Sequence, residues 1–163
     1  MSCPRCACWG CPVTPERPTS TGPPVPTGRP RNGVALEQPF DDTNLFALRS
    51  AVAAHGTQLG LSADRVADLV LAAQELAANA IRHGGVAAAA PGRLRLWRED
   101  SRVVCEVTDG GPGMADPDGA GLRRAAIGAS TGRGLWIVRQ VADGFSIASG
   151  PDGVRVTVAF GVG

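Results

Sequence analysis

Two polar residues, Glu75 and Asn79, stand four positions apart in an otherwise mostly apolar stretch between Leu69 and Ile81. On a helix this spacing places both on one face, a turn apart. An amide oxygen, together with water and phosphate oxygens, suits Mg²⁺, which uses few protein ligands. A carboxylate one turn away is suited to orienting or deprotonating an attacking hydroxyl or water. The pair therefore predicts a magnesium site at Asn79 with Glu75 as the base; the alternative is a solvated polar stripe.

Two basic residues, Arg82 and His83, follow the Glu75–Asn79 pair at the end of the same stretch. Their neighbouring positions make them candidate contacts for a phosphate bound beside Asn79. For His83 the alternative is a hydrogen bond, or a contact with the helix dipole, at the C-terminal end of the helix.

A glycine-rich segment, Asp109-Gly110-Gly111-Pro112-Gly113, comes directly after a predicted strand. The carboxylate of Asp109 can accept a hydrogen bond from an exocyclic amine, which adenine has and guanine lacks at that position. Glycines such as Gly111 and Gly113 let the backbone approach a bound base closely. The alternative is an ordinary turn, because Asp-Gly and Pro-Gly are strong turn formers.

A second glycine segment, Thr131-Gly132-Arg133-Gly134, precedes Leu135 at the start of a predicted helix. Free N–H groups at a helix N-terminus bind anions, and glycine permits close approach of a phosphate. The side chain of Arg133 either adds positive charge there or points to solvent. The chain lacks the G-x-x-x-x-G-K-[ST] phosphate loop, and neither glycine cluster fits G-x-G-x-x-G, which disfavours P-loop and Rossmann folds.

The elements that must position these residues follow from apolar periodicity and turn residues. The most regular is a long amphipathic helix between a cap at Ser62 and a stop at Gly84-Gly85. The remaining patterns predict strands over 34–36, 93–99, 102–108, 145–149 and 154–160, and helices over 45–59 and 134–142. This order predicts an α/β (α+β) two-layer sandwich with a mixed, largely antiparallel sheet and all helices on one face.

The first 32 residues differ from the rest, because prolines recur at short intervals and apolar residues are few. We expect residues 1–32 to be a disordered tail and 33–163 to form the folded domain. The tail carries Cys3, Cys6, Cys8 and Cys11, whose thiolates are able to bind zinc. The spacing lacks the folded knuckle of a structural zinc site, so a disordered tail or a wrongly chosen start codon is the favoured interpretation. The lone Cys105 is expected to be a buried small hydrophobe.

Composition narrows the functional classes. The chain has 163 residues and a formal net charge of +1, so no global field attracts nucleic acid or an anionic membrane. No apolar run approaches the roughly 18 residues that cross a bilayer, and the N-terminus does not resemble a signal peptide. These features predict a cytoplasmic protein.

The three chemical features occur in order: Glu-x-x-x-Asn on a helix, Asp-x-Gly-x-Gly after a strand, and Gly-x-Gly before a helix. In this combination the chain resembles the GHKL ATPase/kinase superfamily, which includes the ATP-binding domains of gyrase, Hsp90, histidine kinases and MutL. Residues 75–84 resemble its N box, 109–113 its first glycine box and 132–135 its second. The resemblance extends over residues 34–160 and implies the Bergerat-type ATP-binding fold.

The resemblance implies a role for each site residue. Asn79 would coordinate Mg²⁺, Asp109 would accept from the adenine amine of ATP, and Glu75 would be the general base or its equivalent. Arg82 falls where related kinases carry a basic phosphate contact, and residues 114–131 would be a mobile lid over the phosphates.

Within the superfamily the chain looks most like the bacterial anti-sigma factor serine/threonine kinases, because it has a bare domain, a short lid and the ending Asn-Ala-Ile-Arg-His-Gly. There is no room for a gyrase-type transducer, and His55 lacks the context of a phospho-accepting histidine. The resemblance implies phosphorylation of an anti-sigma factor antagonist, binding of a sigma factor, and the homodimer formation that is common among such proteins. One alternative is a non-catalytic module whose partner binding is gated by ATP, and another is slow ATP hydrolysis within a larger complex.

Overall fold

The computed structural model describes residues 24–26, 30–31, 33–87, 89–122 and 133–163. In chain order its elements are β1 Leu36–Phe40, α1 Leu45–Gln58, α2 Ala63–His83, β2 Gly92–Glu99, β3 Arg102–Thr108, α3 Arg133–Val141, β4 Gly144–Gly150 and β5 Gly153–Gly161. None of the helices in these ranges has the length and apolarity needed to cross a membrane, although α2 has 21 residues.

The long helix α2 forms as its sequence predicts. The Ser62 side chain accepts a hydrogen bond from the Arg65 backbone N–H at 3.4 Å, which satisfies one of the free donors of the first turn. The helix ends at His83, and the Gly84 N–H still donates to the Ala80 carbonyl at 2.8 Å. Gly85 then turns the chain away with a φ of +66°, a conformation that glycine adopts without steric cost.

The five strands form one sheet in the order β1-β2-β3-β5-β4, and every neighbouring pair is antiparallel. Alternation along the central strand β3 places Val103, Cys105 and Val107 on one face. That face is buried in a single apolar core together with side chains of all three helices, such as Leu48, Leu76 and Val138. The predicted two-layer sandwich with helices on one face is confirmed.

One detail at the start of the domain differs from the sequence prediction. The first strand lies at Leu36–Phe40 rather than 34–36. It includes Pro39, which has no backbone N–H to donate and is tolerated because β1 is an edge strand of the sheet. The cap of α1 is Asn44, without a side-chain cap hydrogen bond. Asp41 instead closes a local turn, with its carboxylate accepting from the Thr43 N–H at 2.8 Å.

The outer face of the sheet carries a small apolar cluster of its own, formed by Val25, Trp97, Val104 and Ala159. Val25 is only 7% exposed, so at this position the chain packs on the sheet although it lies in the segment expected to be disordered. The adjacent Pro24 carbonyl accepts from the Arg102 guanidinium at 3.2 Å. Most of residues 1–32 lie outside the described residues, and for them disorder stays a prediction.

Cys105 is fully buried in the middle of β3, as expected of a small hydrophobe. Burial, with a smaller contribution from the neighbouring Glu106 carboxylate, raises the pKa of its thiol to about 12. A thiol in this state is protonated at neutral pH and is not nucleophilic.

Candidate functional site

One cavity of about 320 Å³ lies between α2, the ends of β3 and β5, and the first turn of α3. This size is within the range of small-molecule sites, which combine apolar walls with a few polar groups. The lining residues are Leu76, Asn79, Ala80, His83, Gly84, Val107, Asp109, Gly113, Met114, Leu135, Val154 and Val156. Five residues proposed from the sequence are therefore brought together here: Asn79, His83, Asp109, Gly113 and Leu135.

The side chain of Asp109 is held in a fixed direction at the end of β3. Its Oδ1 atom accepts hydrogen bonds from the Gly111 N–H at 3.0 Å and from the Val154 N–H at 3.3 Å. Its own N–H donates to the Val154 carbonyl at 3.0 Å. Both side-chain bonds use Oδ1, so Oδ2 is the oxygen that a ligand in the cavity would meet.

Three glycines from separate segments make room for Asp109. A Cβ atom on Gly84 would lie 2.4 Å from the Asp109 Cγ, and one on Gly153 would lie 1.9 Å from the Asp109 carbonyl oxygen. Gly111 packs on the end of α2, where its Cβ would lie 2.6 Å from the Gly84 carbonyl oxygen. Real Cβ atoms essentially never approach other atoms so closely, so these positions need glycine for the loop, the helix end and the β4–β5 turn to meet.

At the opposite end of the site, Glu75 and Asn79 face the first turn of α3. A Cβ on Gly134 would lie 2.7 Å from the Glu75 Oε2 and 3.3 Å from the Asn79 Nδ2. Glycine at this position thus lets both polar side chains approach the α3 N-terminus, where free N–H groups favour an anion. The pair that the sequence placed on one helix face points at the second glycine segment.

The basic candidates occupy different positions. The Arg82 side chain lies along its own helix, where Nε donates to the Ala78 carbonyl at 3.1 Å and Nη2 to the Asn79 Oδ1 at 3.4 Å. The Arg82 guanidinium thus contacts the Asn79 amide oxygen, which the sequence did not suggest. His83 is exposed at the rim of the cavity, and Arg133 is exposed at the first position of α3.

Two predicted phosphate contacts, Thr131 and Gly132, lie outside the described residues. The same holds for residues 123–130 of the expected lid, while residues 114–122 are described.

The sequence did not single out the apolar walls of the cavity. Val107, Val154 and Val156 share a face of β3 and β5, and Met114 follows the first glycine segment directly. Val107 stands two residues before Asp109, and strand alternation alone would have placed its side chain on the core face. That Val156 pairs with Val107 depends on the register between strands distant in sequence.

The metal predictions have separate outcomes. In the described part of the chain, no group of three or more His, Cys, Asp or Glu side chains could hold a metal ion. Asn79, the predicted Mg²⁺ ligand, lies in the lining of the cavity, and its binding of the ion stays a prediction. The cysteines Cys3, Cys6, Cys8 and Cys11 lie outside the described residues, so zinc binding there stays untested.

Fold and site together define a small α+β sandwich with a cavity between the sheet and the helices, and comparison with known proteins gives its family. The family model of the histidine kinase-like ATPase domain matches residues 39–160. The chain therefore belongs to the histidine kinase-like ATPase family, as the GHKL resemblance predicted. No curated protein matches the chain.

Solved structures show a similar fold. The mycobacterial sensor histidine kinase MprB is 18% identical, with a TM-score of 0.50 over 77% of this chain and 97% of that chain. A histidine kinase domain from the Erythrobacter litoralis blue-light activated histidine kinase is 20% identical, with a TM-score of 0.48 over 72% of this chain and 63% of that chain. At this identity the MprB likeness supports the fold and nothing more specific.

Proposed function

We propose that this protein binds ATP with Mg²⁺ and is a serine/threonine protein kinase of the anti-sigma factor type. Its substrate would be an anti-sigma factor antagonist, and its other partner a sigma factor. The observation that carries the proposal is the meeting of Glu75 and Asn79 with Gly134 at the α3 N-terminus, because base, metal ligand and anion site are then adjacent.

The other end of the cavity supports adenine as the base. Asp109 is anchored through Oδ1, so its Oδ2 is available to accept from the exocyclic amine of adenine. Guanine has a carbonyl oxygen at that position, which would face the carboxylate without a shared proton. Val107 and Val156 offer apolar walls on which a planar base can pack.

The helix α2 sets the direction in which a nucleotide would lie in the site. From Gly84 beside Asp109 to Glu75 the helix axis advances about 13 Å, at 1.5 Å per residue. This length separates the base of a nucleotide from its terminal phosphate. With the base held by Asp109, the phosphates would extend along α2 past Asn79 towards Gly134 and Glu75.

In this arrangement the residues act mainly by positioning. Mg²⁺ would supply charge neutralisation to the phosphates. Asn79 would hold the ion through Oδ1, in place of the hydrogen bond that this oxygen accepts from Arg82 at 3.4 Å without the ion. Glu75 would accept the proton of the substrate serine hydroxyl as the serine oxygen forms its bond to the γ-phosphorus and the bond to the β–γ bridging oxygen of ADP breaks.

The test incubates the protein with γ-labelled ATP and candidate antagonist proteins and compares Glu75→Gln with Asn79→Ala. We expect Glu75→Gln to bind ATP normally and to lose at least 100-fold in transfer, the order of a general-base contribution. Asn79→Ala should lose the Mg²⁺-dependent part of ATP binding. Glu37→Gln, which removes a carboxylate paired with Arg93 on β2, serves as the control.

Normal transfer by Glu75→Gln would remove the proposed base. Stable ATP binding without a labelled partner would instead indicate the non-catalytic, ATP-gated module that sequesters a sigma factor. Free phosphate released without any partner would indicate an ATPase.

A further inference from the structure

We propose that Arg139 and Ser149 are positioning residues that tie the segment 114–122 to α3 and β4 and thereby hold one wall of the cavity in place. The consequence for nucleotide release rests on the proposed binding of ATP. The contacts that Arg139 and Ser149 make with this segment, the two ties, do not depend on nucleotide and are tested separately.

The first tie is made by Arg139 near the end of α3. Its Nε donates to the Ala120 carbonyl at 2.9 Å, and its guanidinium carbon lies 3.9 Å from the centre of the Phe145 ring. Burial lowers the pKa of this guanidinium. Within the described ranges no carboxylate lies at ion-pair distance from Arg139. A partly buried cation needs polar or aromatic partners, and here they are the loop carbonyl and the ring.

A close backbone approach accompanies this hydrogen bond. Gly121 has a φ of +72°, and a Cβ there would lie 2.7 Å from the backbone carbonyl of Leu135. The segment is thus pressed against α3 one turn before Arg139, at a position where only glycine fits. Two independent contacts therefore join residues 120–121 to this helix.

The second tie is made by Ser149 on β4. Its hydroxyl oxygen accepts from the Met114 N–H at 2.7 Å and donates to the Met114 carbonyl at 3.4 Å. Ser149 and Phe145 are four residues apart on one strand and so share a face. The start of the segment is therefore held by β4, and its end by α3, whose Arg139 also contacts Phe145 on β4.

The segment between the ties is compact. The Asp116 carboxylate accepts from the Gly119 N–H at 2.9 Å, and the Leu122 N–H donates to the Gly119 carbonyl at 3.2 Å. Because the segment 114–122 is compact and held at both ends, we expect its residues to keep their positions together. The sequence resemblance predicted a mobile lid from residue 114 onwards; in our proposal residues 114–122 are its fixed part.

The two ties affect the cavity because it is lined by Met114 and Leu135. Ser149 binds the backbone of Met114, and Gly121 packs against Leu135, one turn before Arg139 on α3. Loss of either tie would loosen this wall without touching Asp109, Asn79 or Glu75. We therefore expect nucleotide to dissociate faster, while its association rate changes little.

The experiment compares Arg139→Met and Ser149→Ala with the unsubstituted protein, and Arg139→Lys retains a donor in case the methionine variant folds poorly. Arg98→Met is the matched control, because Arg98 also donates to backbone carbonyls, those of Leu59 at 2.9 Å and Asp100 at 3.0 Å, at a site outside the cavity lining.

The first measurement is amide hydrogen exchange without nucleotide. We expect peptides covering 114–122 to exchange about tenfold faster in Arg139→Met and Ser149→Ala, equivalent to about 1.4 kcal/mol, and to be unchanged in Arg98→Met. Unchanged exchange in both tie variants would overturn the proposal. Faster exchange spread over the whole chain would also overturn it, because the residues would then act on overall stability.

The second measurement is the dissociation rate of a fluorescent ATP analogue in stopped flow. We expect a rate about tenfold higher in each tie variant, with Arg139→Lys between the variants and the unsubstituted protein. An unchanged rate despite faster local exchange would overturn the role of the ties in holding the wall. If the unsubstituted protein bound no nucleotide, the proposed function would fail, and the exchange experiment would still decide whether the ties exist.

Discussion

The substitution Gly84→Ala tests whether the end of α2 fixes the position of Asp109. The added Cβ would lie 2.4 Å from the Asp109 Cγ and 2.5 Å from its Oδ2, where ordinary contacts are 3.4–4 Å. The carboxylate must therefore move by roughly 1 Å. It cannot move freely, because Oδ1 is bonded to the Gly111 and Val154 N–H groups.

A displacement of this size removes the hydrogen bond that Oδ2 would accept from the exocyclic amine of a bound adenine, since a donor–acceptor distance beyond about 3.6 Å is no longer a hydrogen bond. Hydrogen bonds to charged groups contribute about 1.5–3 kcal/mol. We therefore expect Gly84→Ala to bind Mg-ATP roughly 10- to 100-fold more weakly. ADP should lose affinity by the same factor, because the change is at the base end of the site.

Titration calorimetry with ATP and ADP measures this effect, and thermal denaturation shows that the variant is folded at the temperature used. Gly110→Ala is the matched control, because a Cβ on Gly110 would meet nothing within 4 Å. If Gly84→Ala bound ATP as tightly as Gly110→Ala, Asp109 would not be the group that holds the base.

Three further predictions concern other parts of the chain. In Gly134→Ala the new Cβ would lie 2.7 Å from the Glu75 Oε2 and 3.3 Å from the Asn79 Nδ2, so transfer should fall at least tenfold and ATP binding measured by calorimetry should weaken as well; unchanged transfer would contradict this. Val25→Ala should lower the free energy of unfolding in urea by about 1–2 kcal/mol, because Val25 is buried on the sheet, whereas the exposed Val34 gives a control with a small effect. Cys105 has a raised thiol pKa, so peptide mapping should find it unalkylated by iodoacetamide at pH 8 until the protein is denatured, and labelling of the native protein would show that β3 opens.

The most regular local patterns were sufficient to predict most of the fold. The apolar stripe of α2 between Ser62 and Gly84 is long and capped at both ends, and the two hairpins alternate cleanly around Asp100-Ser101 and 150–153. These signals are local, so neighbouring residues alone specify them. The first strand was predicted two residues too early, because Pro39 looks like a strand breaker unless the strand lies at the edge of a sheet.

The residue types of the candidate site could likewise be predicted from local patterns, but the contacts between distant segments could not. Residue type and helical spacing identified Glu75 and Asn79, and a carboxylate among glycines identified Asp109. No local pattern indicates that Arg139 donates to the Ala120 carbonyl or that Ser149 holds Met114. These contacts join segments that are 19 and 35 residues apart.

What the sequence by itself determined is the set of elements and the polar groups each one carries, because helix faces, strand faces and turns depend on side chains a few residues apart. Only the tertiary structure decided that Gly84 and Gly153 pack against Asp109 and Gly111 against Gly84, and that Gly134 lets Glu75 and Asn79 meet the start of α3. The register of an antiparallel sheet and the packing of helices on it set these distances to within an ångström. They arise from the close packing of the whole core, which no single segment specifies.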